Sequence, residues 1–269
     1  MVEYAAVIDV SKCVDCRCCV IACKDEYAIN AYPPYSAGMA FRGQKGIHVD
    51  NVERGTYPKV KFSSTPILCQ MCDNAPCIAA ATGGAVYRRP DGIVIIDPVK
   101  SKGQKQIGNS CPYGVIFWND DLQIPQKCTF CVHRLEKGQV PRCMMACPSN
   151  AIKIGTLAQI WKDTERNKPF LHPEYKTEPR VYYLGLPKTL IVGSLVDSNG
   201  ECLQGANVTA KDTESGAVVA ATTSDMIGDF WLDDLAANKT YEIAISAAGK
   251  TKKISVQLNT NTNLGDIQL

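Results

Sequence analysis

The sequence lacks several features that would assign a class at once. No apolar run approaches the ~18 residues of a membrane-spanning helix. The opening MVEYAAVIDVSKC carries no basic stretch ahead of an apolar core and no twin-arginine pair. It does not read as an export signal, so the chain is expected in the cytoplasm. Charge is nearly balanced at net +2, and no basic field advertises nucleic acid or an anionic membrane surface. Acid–base carboxylate pairs and nucleophilic triads are missing. The segments GQKG at 43–46 and SKGQKQIG at 101–108 lack the strand–glycine–helix context and GK[ST] ending of a phosphate loop.

What the chain has in excess is cysteine, 14 in 269 residues. Thirteen lie between Cys13 and Cys147, and Cys202 stands alone beyond them. Composition changes as well, from Cys- and Pro-rich loops to short alternating segments in a Ser/Thr/Asn/Asp/Gly background. A boundary is expected near residue 187, after RVYYLGLP, giving domains 1–187 and 188–269. Within residues 151–187, TLAQIWKDTER suggests a short helix, and the Pro-interrupted KPFLHPEYKTEP reads as a surface arm.

The cysteines sort by spacing into three groups. The first is Cys13-x2-Cys16-x2-Cys19-x3-Cys23; the second is Cys69-x2-Cys72-x4-Cys77, followed later by Cys111-Pro112; the third is Cys128-x2-Cys131, then Cys143-x3-Cys147-Pro148. The first run matches the bacterial ferredoxin spacing, in which three cysteines bind one cubane and the fourth reaches a second. Two intervening residues let the chain wrap a cluster corner with its N–H groups aimed at the sulfurs. Cys18 falls between ligand positions. Disulfides need an oxidising compartment that nothing in the sequence announces. A four-cysteine run at this spacing is poor geometry for structural zinc. Scattered packing thiols leave the spacing unexplained, so iron–sulfur clusters are expected.

With these motifs, residues 1 to about 185 resemble the four-cluster ferredoxin-type subunits that accompany molybdopterin oxidoreductases of the dimethyl sulfoxide reductase family. That family carries four cysteine motifs in two nested pairs. Cys13, Cys16, Cys19 and Cys23 match the first motif, and KCTFCVHRLEKGQVPRCMMACP carries the fourth at Cys128, Cys131, Cys143 and Cys147. Cys69, Cys72 and Cys77 match the start of the second motif, and Cys111 in SCPYGVIFWN matches the end of the third. The crossed ligation of the family implies cluster A on Cys13, Cys16, Cys19 and Cys147. It implies cluster B on Cys23, Cys128, Cys131 and Cys143, and cluster C on Cys69, Cys72, Cys77 and Cys111. Four expected cysteines are absent, replaced by Ala81, Ser101, Gln104 and Ile107. Together they make the complete ligand set of one cluster. The resemblance therefore implies three 4Fe–4S clusters, and the four substituted positions should lie together around a volume filled by protein. It also implies AAVIDVSKC and AIKIGT as paired strands, with GIVIIDP as a strand of a second, half-emptied ferredoxin unit.

Segments such as ERGTYP, NAPC, GGAVYRRPDGIVIIDP and QKCTFC look most like the transhydroxylase branch of that family, the pyrogallol–phloroglucinol type. Its small subunits also end in a β domain. Here seven segments from KTLIVGSLVD to LGDIQL mostly alternate apolar and polar residues, with Tyr241, Ile243, Ile245 and Ala247 on one face. GANVTAKD and TTSDMIGDFWLDDL resemble Ig-like sandwich modules of the transthyretin-like or carboxypeptidase-regulatory-like kind. The expected fold is thus α+β: a double ferredoxin-like domain with one of four cluster sites lost, then an all-β sandwich that docks or stabilises.

Other residues draw plainer expectations. His133 reads as a surface-loop histidine, and His48 and His172 carry no partner signal. Tyr113, Phe117 and Trp118 are expected to pack around cluster C. Lys12 and Lys127, each preceding a ligand cysteine, could offset thiolate charge or be solvated. The expected role is electron transfer for a large molybdopterin catalytic subunit acting on polyhydroxylated aromatics, with no catalytic residue on this chain and no nucleic-acid or membrane partner. A reductive catechol dehydroxylase, another molybdopterin reductase, or a free polyferredoxin carrier are the alternatives.

Overall fold

The computed structural model describes residues 2–43, 45–163, 169–247 and 249–269. The chain divides into two compact units, Met1–Asp50 with Ser64–Leu186, and Asn51–Ser63 with Pro187–Leu269.

The first unit is built mostly from short elements, together with the bases of two longer strands, β2 and β3. In chain order they are β1 (Tyr4–Asp9), α1 (Cys18–Tyr27), β2 (Ile47–Thr56), β3 (Lys59–Leu68) and α2 (Pro76–Ala80). Then come β4 (Val86–Arg88), β5 (Val94–Ile96), α3 (Lys105–Asn109), β6 (Phe117–Asn119) and β7 (Ile124–Gln126). The unit closes with α4 (Val132–Leu135), α5 (Arg142–Met145), β8 (Ile152–Thr156), α6 (Leu157–Asp163) and β9 (Val181–Leu184). Strand β1 is central, antiparallel to β8 (Ile8 opposite Ile152) and parallel to β9 (Ala6 opposite Val181). Successive side chains of a strand point to opposite faces. Here Ala6 and Ile8 enter the main core, while Ala5 and Val7 meet Ile160 of α6. Helix α6 begins with a capping box: the Gln159 N–H donates to Thr156 Oγ1 at 3.2 Å and the Thr156 N–H to Gln159 Oε1 at 2.9 Å. This is the helix expected in TLAQIWKDTER; Thr164, Glu165 and Arg166 of that segment lie outside the described residues.

All seven segments expected after residue 187 are strands: β10 (Thr189–Val196), β11 (Asn207–Asp212), β12 (Val218–Thr223), β13 (Asp229–Leu235), β14 (Lys239–Ala247), β15 (Lys250–Leu258) and β16 (Thr262–Gln268). They form two sheets, β13–β10–β16 and β12–β11–β14–β15. Tyr241, Ile243 and Ile245 point into one core with Phe230, Leu232, Val256 and Leu258. Gly193 lies against the Phe230 ring, where a Cβ would stand 2.8 Å from the nearest ring carbon. Backbone approaches this close require glycine.

The single boundary expected at 187 misses one feature. Residues 51–63, the tip of the β2–β3 hairpin, belong to the second unit. Their charges explain it. Arg54 pairs with Asp233 at 3.2 Å, Lys59 pairs with Asp229, and Lys61 also pairs with Asp233. Salt bridges between residues this far apart in sequence leave no local pattern to read.

Candidate metal centres

Strand pairing builds the first cysteine group. Because β1 pairs with β8, Cys13 just after β1 faces Cys147 just before β8. These two line one cavity with Cys16 and Cys19, walled by Val49, Pro66 and Ile152. In the second group, Cys69, Cys72, Cys77 and Cys111 line one cavity with Val94, Tyr113, Ile116 and Lys127. The third gathers Cys23 of α1, Cys143 of α5, Cys128 and Cys131, all buried, where α1 packs on α5. The thiolates of each group repel one another. Repulsion also links the groups: Cys19 acts on Cys23 and Cys143, and Cys69 acts on Cys128. The groups A, B and C therefore follow one another in that order. Cys18 hydrogen-bonds the Cys16 side chain, and Cys202 is exposed in the other unit.

The donor chemistry fits cubanes. Burial pushes the Cys19 and Cys77 thiols up to about 11 and the Cys23 and Cys72 thiols up to about 12. It carries Cys128 and Cys143 well above their ordinary range, with their neighbours' charge adding to the effect. Buried thiolates are therefore costly here unless a cationic centre offsets them. Cys147 differs. Burial would raise it, but the Ser149 side chain and the backbone N–H groups of Ala151, Ile152 and Ser149 hold it below the usual thiol range. Among the described residues no three His, Cys, Asp or Glu side chains could hold a single ion. Zinc would draw its thiolates to within ~2.3 Å of one point; these thiols instead surround a volume.

The loops share a backbone device. In the C-x2-C loops Cys13–Cys16, Cys69–Cys72 and Cys128–Cys131, the residue before the second cysteine is left-handed and is not glycine: Asp15 (φ 53), Met71 (φ 49) and Phe130 (φ 54). That conformation costs on the order of 1 kcal/mol or more for a residue with a Cβ. It turns successive N–H groups inward as an anion-binding nest, and the Phe130 N–H reaches Cys128 Sγ at 3.3 Å. Gly46 is a further site residue that spacing alone did not reveal. Its N–H donates to Cys23, and a Cβ there would stand 3.1 Å from Cys23 Sγ.

Several expectations change. Lys127 is not solvated; it is buried and is among the residues that line the cavity of group C. His133 is no surface-loop residue: it is buried, meets Glu26 Oε1 at 2.9 Å and stacks on Tyr32 at 3.6 Å. Beside it, the Tyr27 hydroxyl hydrogen-bonds Cys131. KPFLHPEYKTEP is more than a surface arm. Thr177 is buried and hydrogen-bonds Cys72 and, at 2.7 Å, the Tyr113 hydroxyl, while the Asn74 N–H donates to Thr177 O at 3.0 Å. Tyr113 lines the group C cavity; Phe117 and Trp118 stand outside its lining. Lys12 pairs with Asp9 at 3.0 Å and remains exposed, His48 meets Asp50 at 3.4 Å, and His172 meets Glu174 at 2.8 Å.

The four substituted positions also come together. Ala81 ends α2, which packs on α3, and Ile107 of α3 is fully buried. Gln104 clasps the residue after Ala81, accepting the Thr82 N–H at 2.9 Å and donating to Thr82 O at 3.3 Å. The Gln104 N–H donates to Ser101 O at 3.0 Å, and Ser101 is fully buried with its Oγ unpartnered. Within this segment Ser101 and Ile107 are buried, while Lys102, Gly103, Lys105 and Gln106 remain exposed.

Known proteins share both halves. Residues 60–157 match the 4Fe-4S dicluster domain, and residues 190–269 match the carboxypeptidase regulatory-like domain. The pyrogallol hydroxytransferase small subunit of Pelobacter acidigallici is 39% identical, with 100% of both chains covered. A tetrathionate reductase subunit of Salmonella typhimurium is 34% identical over 70% of this chain and 75% of its own. The arsenate respiratory reductase iron-sulfur subunit of a Shewanella species is 32% identical over 66% of this chain and 94% of its own.

Proposed function

The chain belongs to the iron–sulfur subunits of the dimethyl sulfoxide reductase family of molybdopterin oxidoreductases, and from that premise we propose that it carries three 4Fe–4S clusters for a transhydroxylase-type catalytic subunit acting on polyhydroxylated aromatics. The observation that carries the substrate class is full-length likeness. The pyrogallol hydroxytransferase small subunit matches over 100% of this chain, whereas the tetrathionate and arsenate relatives match 70% and 66%.

Three cysteine groups, each with four thiols, support three clusters, held by Cys13, Cys16, Cys19 and Cys147; by Cys23, Cys128, Cys131 and Cys143; and by Cys69, Cys72, Cys77 and Cys111. When bound, a 4Fe–4S cluster takes up and releases single electrons. The protein's part is to set spacing and environment. Helix α1 places Cys19 toward group A and Cys23 toward group B, so one rigid turn joins two centres. Apolar walls at Val49, Ile152, Val94 and Ile116 limit water, and backbone N–H groups stabilise the thiolates. At the lost fourth site, the fill by Ala81, Ser101, Gln104 and Ile107 makes group C the end of the wire.

No helix among the described residues is long and apolar enough to cross a membrane. A cytoplasmic heterodimer with the catalytic chain is the assembly we favour. The test is the native complex run through size exclusion. About twelve irons per chain, four for each of three clusters, should elute in one peak with the metal of the catalytic partner. Eight or sixteen irons, or stoichiometric zinc, defeats the cluster assignment. Crossed ligation has its own check: Cys23→Ser should damage the centre of Cys128, and Cys147→Ser that of Cys13. Cys18→Ser and Cys202→Ser should leave iron unchanged.

A further inference from the structure

Lys127 holds a buried ammonium with no carboxylate beside it among the described residues. The residue is 3% exposed, and its Nζ donates to Val94 O and, at 3.1 Å, to Cys128 O. Among the described residues no Asp or Glu pairs with it, although salt bridges are numerous elsewhere in the unit. A buried charge satisfied only by carbonyl dipoles is expensive, and proteins retain one where a counter-charge stands nearby. Cys77 and Cys111 line the same cavity as Lys127. On its own backbone Lys127 precedes Cys128 of group B, and its side chain lines the cavity of group C. It thus stands where Cys69 and Cys128 repel across the two groups.

Resting on the three-cluster reading, we propose that Lys127 is the counter-charge of cluster C and a positioning residue for electron transfer between clusters B and C. Four thiolates leave a 4Fe–4S centre anionic, and each added electron makes it more so. An ammonium held in a low-dielectric wall stabilises the reduced state more than the oxidised one. Lys127 therefore holds the potential of cluster C up, so that an electron arriving through cluster B settles at the blind end of the wire and returns from there.

The test uses the full-length protein in its native complex, with EPR-monitored redox titration and iron analysis. Cys111→Ser identifies the signal of cluster C by its loss. Lys127→Met keeps length and removes charge; Lys127→Arg keeps charge. With full iron, the Met variant should lower the reduction equilibrium of cluster C by tenfold or more, equivalent to 59 mV for one electron. The Arg variant should stay near the native value. Loss of the four cluster C irons in the Met variant alone equally supports the counter-charge, because charge is then needed at assembly. Unchanged potentials in a fully loaded Met variant overturn the proposal, as does equal iron loss in both variants, which makes the role one of packing. A native protein without about twelve irons overturns the three-cluster reading instead, a separate outcome.

Discussion

The two units bury their cores in opposite ways. In the sandwich, apolar side chains from both sheets meet directly: Ile191, Val208, Phe230, Leu232, Ile243 and Leu258 are all essentially fully buried. Burial of that kind is worth about 1.5–3 kcal/mol for each large side chain and needs nothing beyond the chain itself. The first unit has helices of 4 and 5 residues at α2 to α5, far below the ~12 residues at which isolated helices hold together. Its core cluster includes cysteines alongside Ile8, Leu68 and Phe130, and its loops carry left-handed residues that aim N–H groups at thiols. Burial has raised most of those thiols. One unit is stable through packing, the other is arranged around centres it must bind.

The largest expected effect follows directly. Stripping iron from the native protein should expose the backbone of the first unit to hydrogen exchange while β10 to β16 stay protected. Mass spectrometry of peptic fragments reads both units at once, and equal deprotection would break the contrast. The reverse cut comes next. Phe230→Ala should cost about 3–5 kcal/mol, a large share of the ~5–15 kcal/mol typical of a domain. Thermal melts should show the sandwich transition falling while iron content and cluster absorption hold. Loss of iron in that variant would mean that the units are not energetically independent.

The smallest effect separates them by pH. The Asp212 carboxylate is held below its usual range by the Lys239 ammonium at 2.6 Å and by the Glu214 and Ser215 N–H groups. A depressed folded value contributes stability above the unfolded value of ~3.9, and that contribution is lost as pH falls through the folded value. Asp212→Asn should therefore melt slightly earlier than the native sandwich at neutral pH, with the two converging below about pH 4. A gap that persists in acid would assign the effect to the asparagine rather than to charge.

Period-two alternation made the seven strands of the sandwich legible in the sequence, because each residue's face depends only on its neighbours. Cysteine spacing made the candidate ligands legible for the same reason: a C-x2-C loop is a local object. The side chains placed by distant chain returns were not legible. Lys127 and His133 have ordinary local surroundings, and only the packing of segments far apart in the chain buries them. The same holds for Thr177, which reaches Cys72 across more than a hundred residues, and for the hairpin tip at 51–63 held by Asp229 and Asp233. The sequence by itself determined which residues are thiols, how they are spaced and which segments alternate. Tertiary structure alone decided which thiols share a space, since β1 pairing with β8 brings Cys13 to Cys147. It also decided which non-glycine residues turn left-handed and where one lysine is buried with no carboxylate partner among the described residues. Spacing is written in neighbouring residues, whereas burial and charge compensation depend on the whole path of the chain.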